Sequence, residues 1–236
     1  MFLSEFIIWV IATLLIVTLT VLASKKFGVE IAIGIFATLT VIANIVCRKL
    51  IVVGIFIVPA GVIVYSSTFL VTDIISEVYG KENGKKAVIC GLLVNIVMLI
   101  SVLIILIWSP ANLPGNLEVA KAFETVFSLT PRIVLASITA YFLSQMHDVY
   151  AFHFWKVKTR GKHLWLRNNA STIVSQAIDT TIFITLAFYG VVPNEMLFSM
   201  IFGQYVMKVL IALLDTPFMY LATAVFKDLQ KAKMTA

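Results

Sequence analysis

Seven apolar stretches, at roughly 6–23, 28–46, 51–71, 87–109, 131–150, 170–189 and 197–224, occupy most of the 236 residues. A helix needs about 20 apolar residues to cross the hydrocarbon core of a bilayer, so stretches of this length read as membrane spans. Composition agrees: 61% of the residues are hydrophobic, 13% are charged, and the mean hydropathy is +1.02. Such a chain could not cover a soluble surface. The expected fold class is therefore all-α, a polytopic membrane helix bundle of one domain over residues 1–236. The longest polar connection, around 151–169, is too short for an appended soluble domain. The start, MFLSEF, lacks a basic leader region, and no small-residue cleavage site precedes Lys25 and Lys26, so the first stretch is expected to be a retained helix.

Loop charge carries orientation better than the net charge of +6 does. With seven spans, one set of alternate connections holds Lys25 and Lys26, then Lys81, Lys85 and Lys86, then Lys156, Lys158, Arg160, Lys162 and Arg167, then Lys227, Lys231 and Lys233. That is thirteen of the eighteen cations. The other set holds Arg48, Lys49, Lys121 and Arg132, and Lys208 lies inside the seventh stretch. By the positive-inside rule the N-terminus is outside and the C-terminus in the cytoplasm, in a multi-pass protein of the cell membrane.

Ionisable and amide side chains inside such stretches are costly in lipid and belong on a protected polar face. Helical spacing puts Tyr141, Gln145 and Asp148 on one stripe of the fifth span and Thr172, Gln176 and Asp179 on one stripe of the sixth. Gln204, Lys208, Ile211 and Asp215 share a stripe of the seventh. At about 1.5 Å per residue, Asp179 and Lys208 both fall near the bilayer midplane, with Asp148 nearer the cytoplasmic end. Two readings of Asp179 and Lys208 stay open: a structural ion pair, or the lining of a substrate cavity. For a cavity, Gln176 and Gln204 supply amides, and Tyr141, Tyr205 and Phe183 supply stacking surfaces. Stacking rings with edge-reading amides and carboxylates suit a planar, polar heterocycle.

Other features carry weaker signals. Pro59, Ala60 and Gly61 interrupt the third stretch near mid-membrane, as either a kink or a functional break. Asp73 and Glu77 stand four apart at its cytoplasmic end, as a gate, a coupling site, a contact for Lys85 and Lys86, or solvated loop acids. Residues 111–116 read as a turn, and 117–129 as a short interfacial helix. Asn44 and Asn95 are expected to bond between helices. Ala136, Ser137 and Ala140 allow close packing, either between protomers of a homo-oligomer or inside one. Cys47 and Cys90 lack metal or disulfide spacing, and His147, His153 and His163 lack acidic partners at metal spacing. No metal and no cofactor are expected.

Several separated motifs together resemble a known family. They are Pro59-Ala-Gly, Thr72-Asp73 to Glu77-Val-Tyr-Gly80, Arg132 to Ala136-Ser137 with Ala140-Tyr141, Gln145 and Asp148-Val149, Leu164-Trp-Leu-Arg-Asn-Asn169 with Ser171-Thr172, and Gln176 to Asp179-Thr180. In this order they resemble the YhhQ-type queuosine precursor transporter family, also described as a vitamin uptake transporter family. The likeness runs over about 28–225. It implies six core helices, which leaves residues 1–23 as an additional N-terminal helix, and it implies uptake of a 7-deazaguanine base such as preQ0, preQ1 or queuine for tRNA modification. It further implies that Gln145, Asp148, Gln176, Asp179 and Lys208 line the substrate site.

On this reading the base is gripped near mid-membrane by Gln176, Asp179, Gln204 and Lys208 and released by a rocking motion. Nothing suggests that nucleic acid is bound directly. No GxxxxGK[ST] sequence is present for nucleotide hydrolysis. The driving force is an ion or proton gradient acting through Asp73, Glu77 or Asp148, trapping inside the cell, or a separate energising subunit. The competing readings are a membrane binding subunit for another vitamin-like solute, an intramembrane lipid-processing enzyme using Asp73 and Glu77, and a scaffold.

Overall fold

The computed structural model describes residues 3–47, 49–127 and 131–235, so Arg48 lies outside the described residues. The chain is a helix bundle. Its helices are α1 (Leu3–Leu22), continued by α2 (Ser24–Phe27), α3 (Val29–Val46), α4 (Val62–Val78), α5 (Lys81–Ile107), α6 (Asn116–Phe127), α7 (Pro131–Lys158), α8 (Leu164–Phe188) and α9 (Asn194–Thr235). Among the described residues five spans, namely Leu3–Phe27, Val29–Val46, Lys81–Ile107, Leu164–Phe188 and Asn194–Lys227, are long and apolar enough by themselves to cross a membrane. α4, at 17 residues, is short, and α7 mixes its apolar residues with polar ones. Both run among the others, and the reason for their polarity is where they lie.

α4 is the centre of the bundle. It packs against α1, α3, α5, α7, α8 and α9, and every residue from Ser66 to Ser76 is buried. A helix screened from lipid on all sides can carry serines, threonines and a carboxyl that a lipid-facing helix cannot. α5 shows the converse, with Ile89, Leu93, Val97, Ile100, Leu103 and Ile104 exposed on its outer face. Its inner face holds small residues. A Cβ on Gly84 would meet Ser76 Oγ, and one on Gly91 would meet the Tyr141 hydroxyl and Phe36, so these glycines set the spacing to α4, α7 and α3.

The third apolar stretch departs from expectation. Its first half is not helix but a β-hairpin of β1 (Leu50–Val53) and β2 (Phe56–Pro59), paired antiparallel from Leu50↔Pro59 to Val53↔Phe56. The turn is two residues, with Gly54 at φ 58°, a conformation that favours glycine. β-branched residues before a proline satisfy a hairpin as readily as a helix start. Pro59, Ala60 and Gly61 are therefore a strand-to-helix junction, not a mid-membrane kink. Gly61 lets that junction approach the Ala43 carbonyl of α3, and Phe56 packs on Gly203 of α9.

Elsewhere the expected apolar stretches lie on helices, namely α1, α3, α5, α7, α8 and α9. α6 occupies the expected interfacial segment with none of its residues buried, although residues 128 and 129 of that expectation lie outside the described residues. Asn44 Nδ2 donates to Asn95 Oδ1 at 2.6 Å, joining α3 to α5. Arg132, at the start of α7, donates to the Leu186 and Tyr189 carbonyls at 2.6 Å each and so caps the end of α8. Ala136 and Ala140 are buried within the single chain, and Ser137 Oγ donates to Asn44. These small residues serve packing inside one protomer. Ser24 meets Tyr79 at 3.1 Å and Glu77 meets Lys156 and Arg167, so the connections bearing Lys25 and Lys26, Lys81 to Lys86 and Lys156 to Arg167 lie at one end of the bundle, away from the hairpin that leads into the other end of α4; this is called the basic end below.

Candidate functional site

The polar faces of α4, α7, α8 and α9 converge on a column along the bundle axis, organised in layers. Nearest the hairpin, the Asp179 carboxylate of α8 accepts from three helices. Lys208 Nζ of α9 donates to Oδ2 at 2.5 Å, while the Tyr65 hydroxyl of α4 and Ser144 Oγ of α7 donate to Oδ1 at 2.5 and 3.2 Å. The Lys208 ammonium also stands 5.0 Å from the centre of the Tyr65 ring. An ammonium and a carboxylate buried this deeply are tolerable because each is paired and further hydrogen-bonded. Gln204 lies one turn from Lys208 toward the hairpin and is nearly buried.

The next layer is amides and hydroxyls. Gln145 Nε2 donates to Thr68 Oγ1 at 2.7 Å, and Thr72 Oγ1 donates to Gln145 Oε1 at 3.3 Å. Gln176, one turn along α8 from Asp179, is fully buried, and neither its Oε1 nor its Nε2 has a partner. A buried amide that meets no protein partner is costly unless another molecule meets it.

The third layer holds Asp73, Asp148 and Asp215 from α4, α7 and α9. Ser175 Oγ reaches Asp148 Oδ1 at 3.1 Å, Thr172 Oγ1 lies 3.5 Å from Asp73 Oδ2, and Asn168 Nδ2 donates to Asp215 Oδ1 at 2.7 Å. Seven residues of α9 separate Lys208 from Asp215, so this layer lies about 10 Å below the ion pair. At the basic end Glu77 closes the column. Its carboxylate pairs with Arg167 at 2.7 Å and Lys156 at 3.0 Å, tying α4 to α8 and α7.

The structure thus brings together Asp179 and Lys208, with Gln176 and Gln204 one turn away on either side. It does not keep Asp73 and Glu77 together. Asp73 turns into the bundle and Glu77 to a cationic clamp, so neither is a solvated loop acid and neither meets Lys85, whose partner is Glu82 at 2.9 Å. Tyr141 commits its hydroxyl to the Val88 carbonyl of α5 at 2.8 Å, and Asp148 belongs to the carboxyl layer.

A profile of the family described as "Putative vitamin uptake transporter" matches residues 59–222. The chain is 32% identical over 220 residues, 93% of each chain, to a Bacillus subtilis protein named "Probable queuosine precursor transporter". The chain belongs to this family. The vitamin uptake transporter fold described here is accordingly that of a multi-pass membrane transporter and not of an enzyme. A second relative of the same name, from Haemophilus influenzae, is 26% identical over 129 residues, covering 55% of this chain and 51% of that one. No solved structure matches the chain.

In this transporter the sequence reading missed Tyr65, Ser144 and Asn168. Ser144 and Asn168 are small polar residues with no charge to draw attention. Tyr65 was concealed because its helix was taken to start about ten residues early.

Proposed function

We propose that this transporter imports a queuosine-precursor base, a 7-deazaguanine, and holds it between Asp179 and Lys208. The observation that carries the reading is the closed Asp179–Lys208–Tyr65 cluster with the unpartnered Gln176 amide beside it. The base presents two adjacent N–H donors and a carbonyl acceptor on one edge. A carboxylate accepts from the two donors side by side, and an ammonium donates to the carbonyl. Substrate then replaces the ion pair partner for partner, so that neither buried charge is left bare. Gln176 and Gln204 read the remaining edge, Gln145 fixes the layer below, and the Tyr65 and Tyr141 rings line the approach. The relatives' printed names support this substrate class.

The loop charges support an arrangement with the N-terminus outside and the basic end in the cytoplasm. In that arrangement the hairpin, through Phe56 on Gly203, covers the outer mouth, and the Glu77 clamp is the inner gate. Opening the gate lets α7 and α8 move against α4, and the base leaves toward the cytoplasm. The test is thermal stabilisation of the purified protein by preQ0, preQ1, queuine and guanine beside an unrelated vitamin. A concentration-dependent shift with a deazaguanine, absent in Asp179→Asn, is expected. No shift with any of them from folded protein would overturn the substrate assignment.

A further inference from the structure

Three carboxyls sit together in the column with no cation among them. Asp73, Asp148 and Asp215 are each at most 1% exposed. Successive turns of one face of α8 hold them, Asn168 on Asp215, Thr172 on Asp73 and Ser175 on Asp148. A buried carboxyl with no cation beside it is relieved of its charge by taking up a proton. The surrounding charges are already engaged. Lys208 is held by Asp179, and Lys156 and Arg167 by Glu77. The charged residues Glu30, Lys81, Glu82, Lys85 and Lys86 of α3 and α5 lie at helix ends, exposed or half-buried.

A second observation comes from outside the acids. Asn168 is fully buried, spends its Nδ2 on Asp215, and keeps an Oδ1 with no partner; Asp73 Oδ1 and Asp148 Oδ2 are likewise unpartnered. The layer holds more acceptors than hydrogens, and what it lacks is a proton donor. It also has a way out. Ser175 Oγ bridges Asp148 to His147 Nδ1, which lies 2.9 Å from it, and His147 borders an open cleft of ≈ 520 Å³ shared with Lys81, Tyr150 and His153. Among the described residues no three His, Cys, Asp or Glu side chains are spaced to hold one metal ion, these three carboxyls included.

We propose that Asp73, Asp148 and Asp215, with Asn168, form a proton-binding site distinct from the base site, and that a proton bound there and released through Ser175 and His147 drives uptake. The two sites communicate through Thr72, which precedes Asp73 and bonds Gln145, the neighbour of Ser144 on Asp179. One proton and one base move inward together, with no bond made or broken except those to the proton. What is moved rests on the reading under Proposed function; where the proton binds does not.

The experiment therefore has two arms. Infrared spectroscopy of the full-length protein in lipid nanodiscs reads the carboxylic-acid C=O stretch, with deuterium exchange to identify it. A protonated-carboxyl band near neutral pH, reduced in both Asp73→Asn and Asp215→Asn, is expected; its absence at every pH where the protein is folded overturns the site, whatever the substrate. Proteoliposomes enclosing a pH dye then receive preQ0, a neutral base. Wild-type protein should acidify the lumen on adding preQ0 and accumulate it up to about tenfold per unit of inwardly directed pH gradient. Asp215→Asn should lose accumulation and acidification while retaining exchange of labelled for unlabelled preQ0. Exchange without proton movement in wild type, or accumulation that follows sodium instead, overturns the coupling. If preQ0 is not exchanged by wild-type protein although the infrared band is present, the substrate assignment has failed and the proton site stands.

Discussion

The ion-pair layer and the carboxyl layer are about 10 Å apart in one column, and they hold buried charge in opposite ways. Asp179 has a lysine, a tyrosine and a serine, so every lone pair that matters is met and the charge is compensated on the spot. Asp73, Asp148 and Asp215 have hydroxyls and one amide but no cation, and Asp73 and Asp148 each keep an unpartnered oxygen. The difference teaches what each layer is for. A compensated pair is stable until a ligand of matching polarity offers both members equal partners. An uncompensated cluster changes state with the smallest ligand available, a proton. α4 supplies Tyr65 to the first and Asp73 to the second, and eight residues of one central helix therefore connect them.

The largest effect should follow from breaking the compensated layer on one side. Lys208→Met leaves a buried carboxylate without its cation, which costs on the order of 3–5 kcal/mol. The variant should unfold at markedly lower temperature in detergent and should not take up substrate. Combining it with Asp179→Leu removes the stranded charge, and stability should largely return while uptake remains lost. Recovery of uptake in the double variant would show that the pair only holds helices together.

How far this contrast could be read from sequence depends on the element. The α9 stripe was legible because Gln204, Lys208, Ile211 and Asp215 recur at spacings of four, three and four, and its polar members are the only charged or amide residues between Leu197 and Phe226. Asp179 opposite Lys208 followed from depth alone. The hairpin was not legible: Ile51-Val-Val and Phe56-Ile-Val-Pro are apolar in either conformation, and hydropathy does not tell a buried strand from the start of a span. That error displaced the start of α4 and hid Tyr65. The partnering of Glu77 with Arg167 rather than with nearby Lys85 was hidden for another reason, because it joins residues 90 positions apart and no local spacing reports it.

A smaller and more selective effect is expected at Tyr65. Tyr65→Phe keeps the ring beneath the Lys208 ammonium and removes only the hydroxyl that donates to Asp179. A hydrogen bond to a charged group contributes about 1.5–3 kcal/mol, so the variant should lose stability by roughly that amount without unfolding. If the base displaces this hydroxyl on binding, its affinity in the thermal-shift titration should rise; if the hydroxyl helps hold the carboxylate toward the base, affinity should fall by about tenfold or more. An unchanged affinity would separate Tyr65 from the substrate and leave it a brace of the ion pair.

The smallest effect on stability should come from the layer that has no cation. At Asp215 a protonated carboxyl, as the proposed site requires, is nearly the same shape and charge as an amide, and Asn168 can turn its own amide to meet either one. Asp215→Asn should then change the unfolding free energy by under about 1 kcal/mol, against several for the loss of Lys208. The comparison is made near neutral pH by thermal unfolding of both variants in the same detergent. A large loss in Asp215→Asn would mean that this carboxylate is charged and compensated, and the two layers would cease to differ in kind. A small loss accompanied by flattened pH dependence of unfolding is the expected result, because substituting an exchangeable carboxyl removes a proton that folding and pH otherwise share.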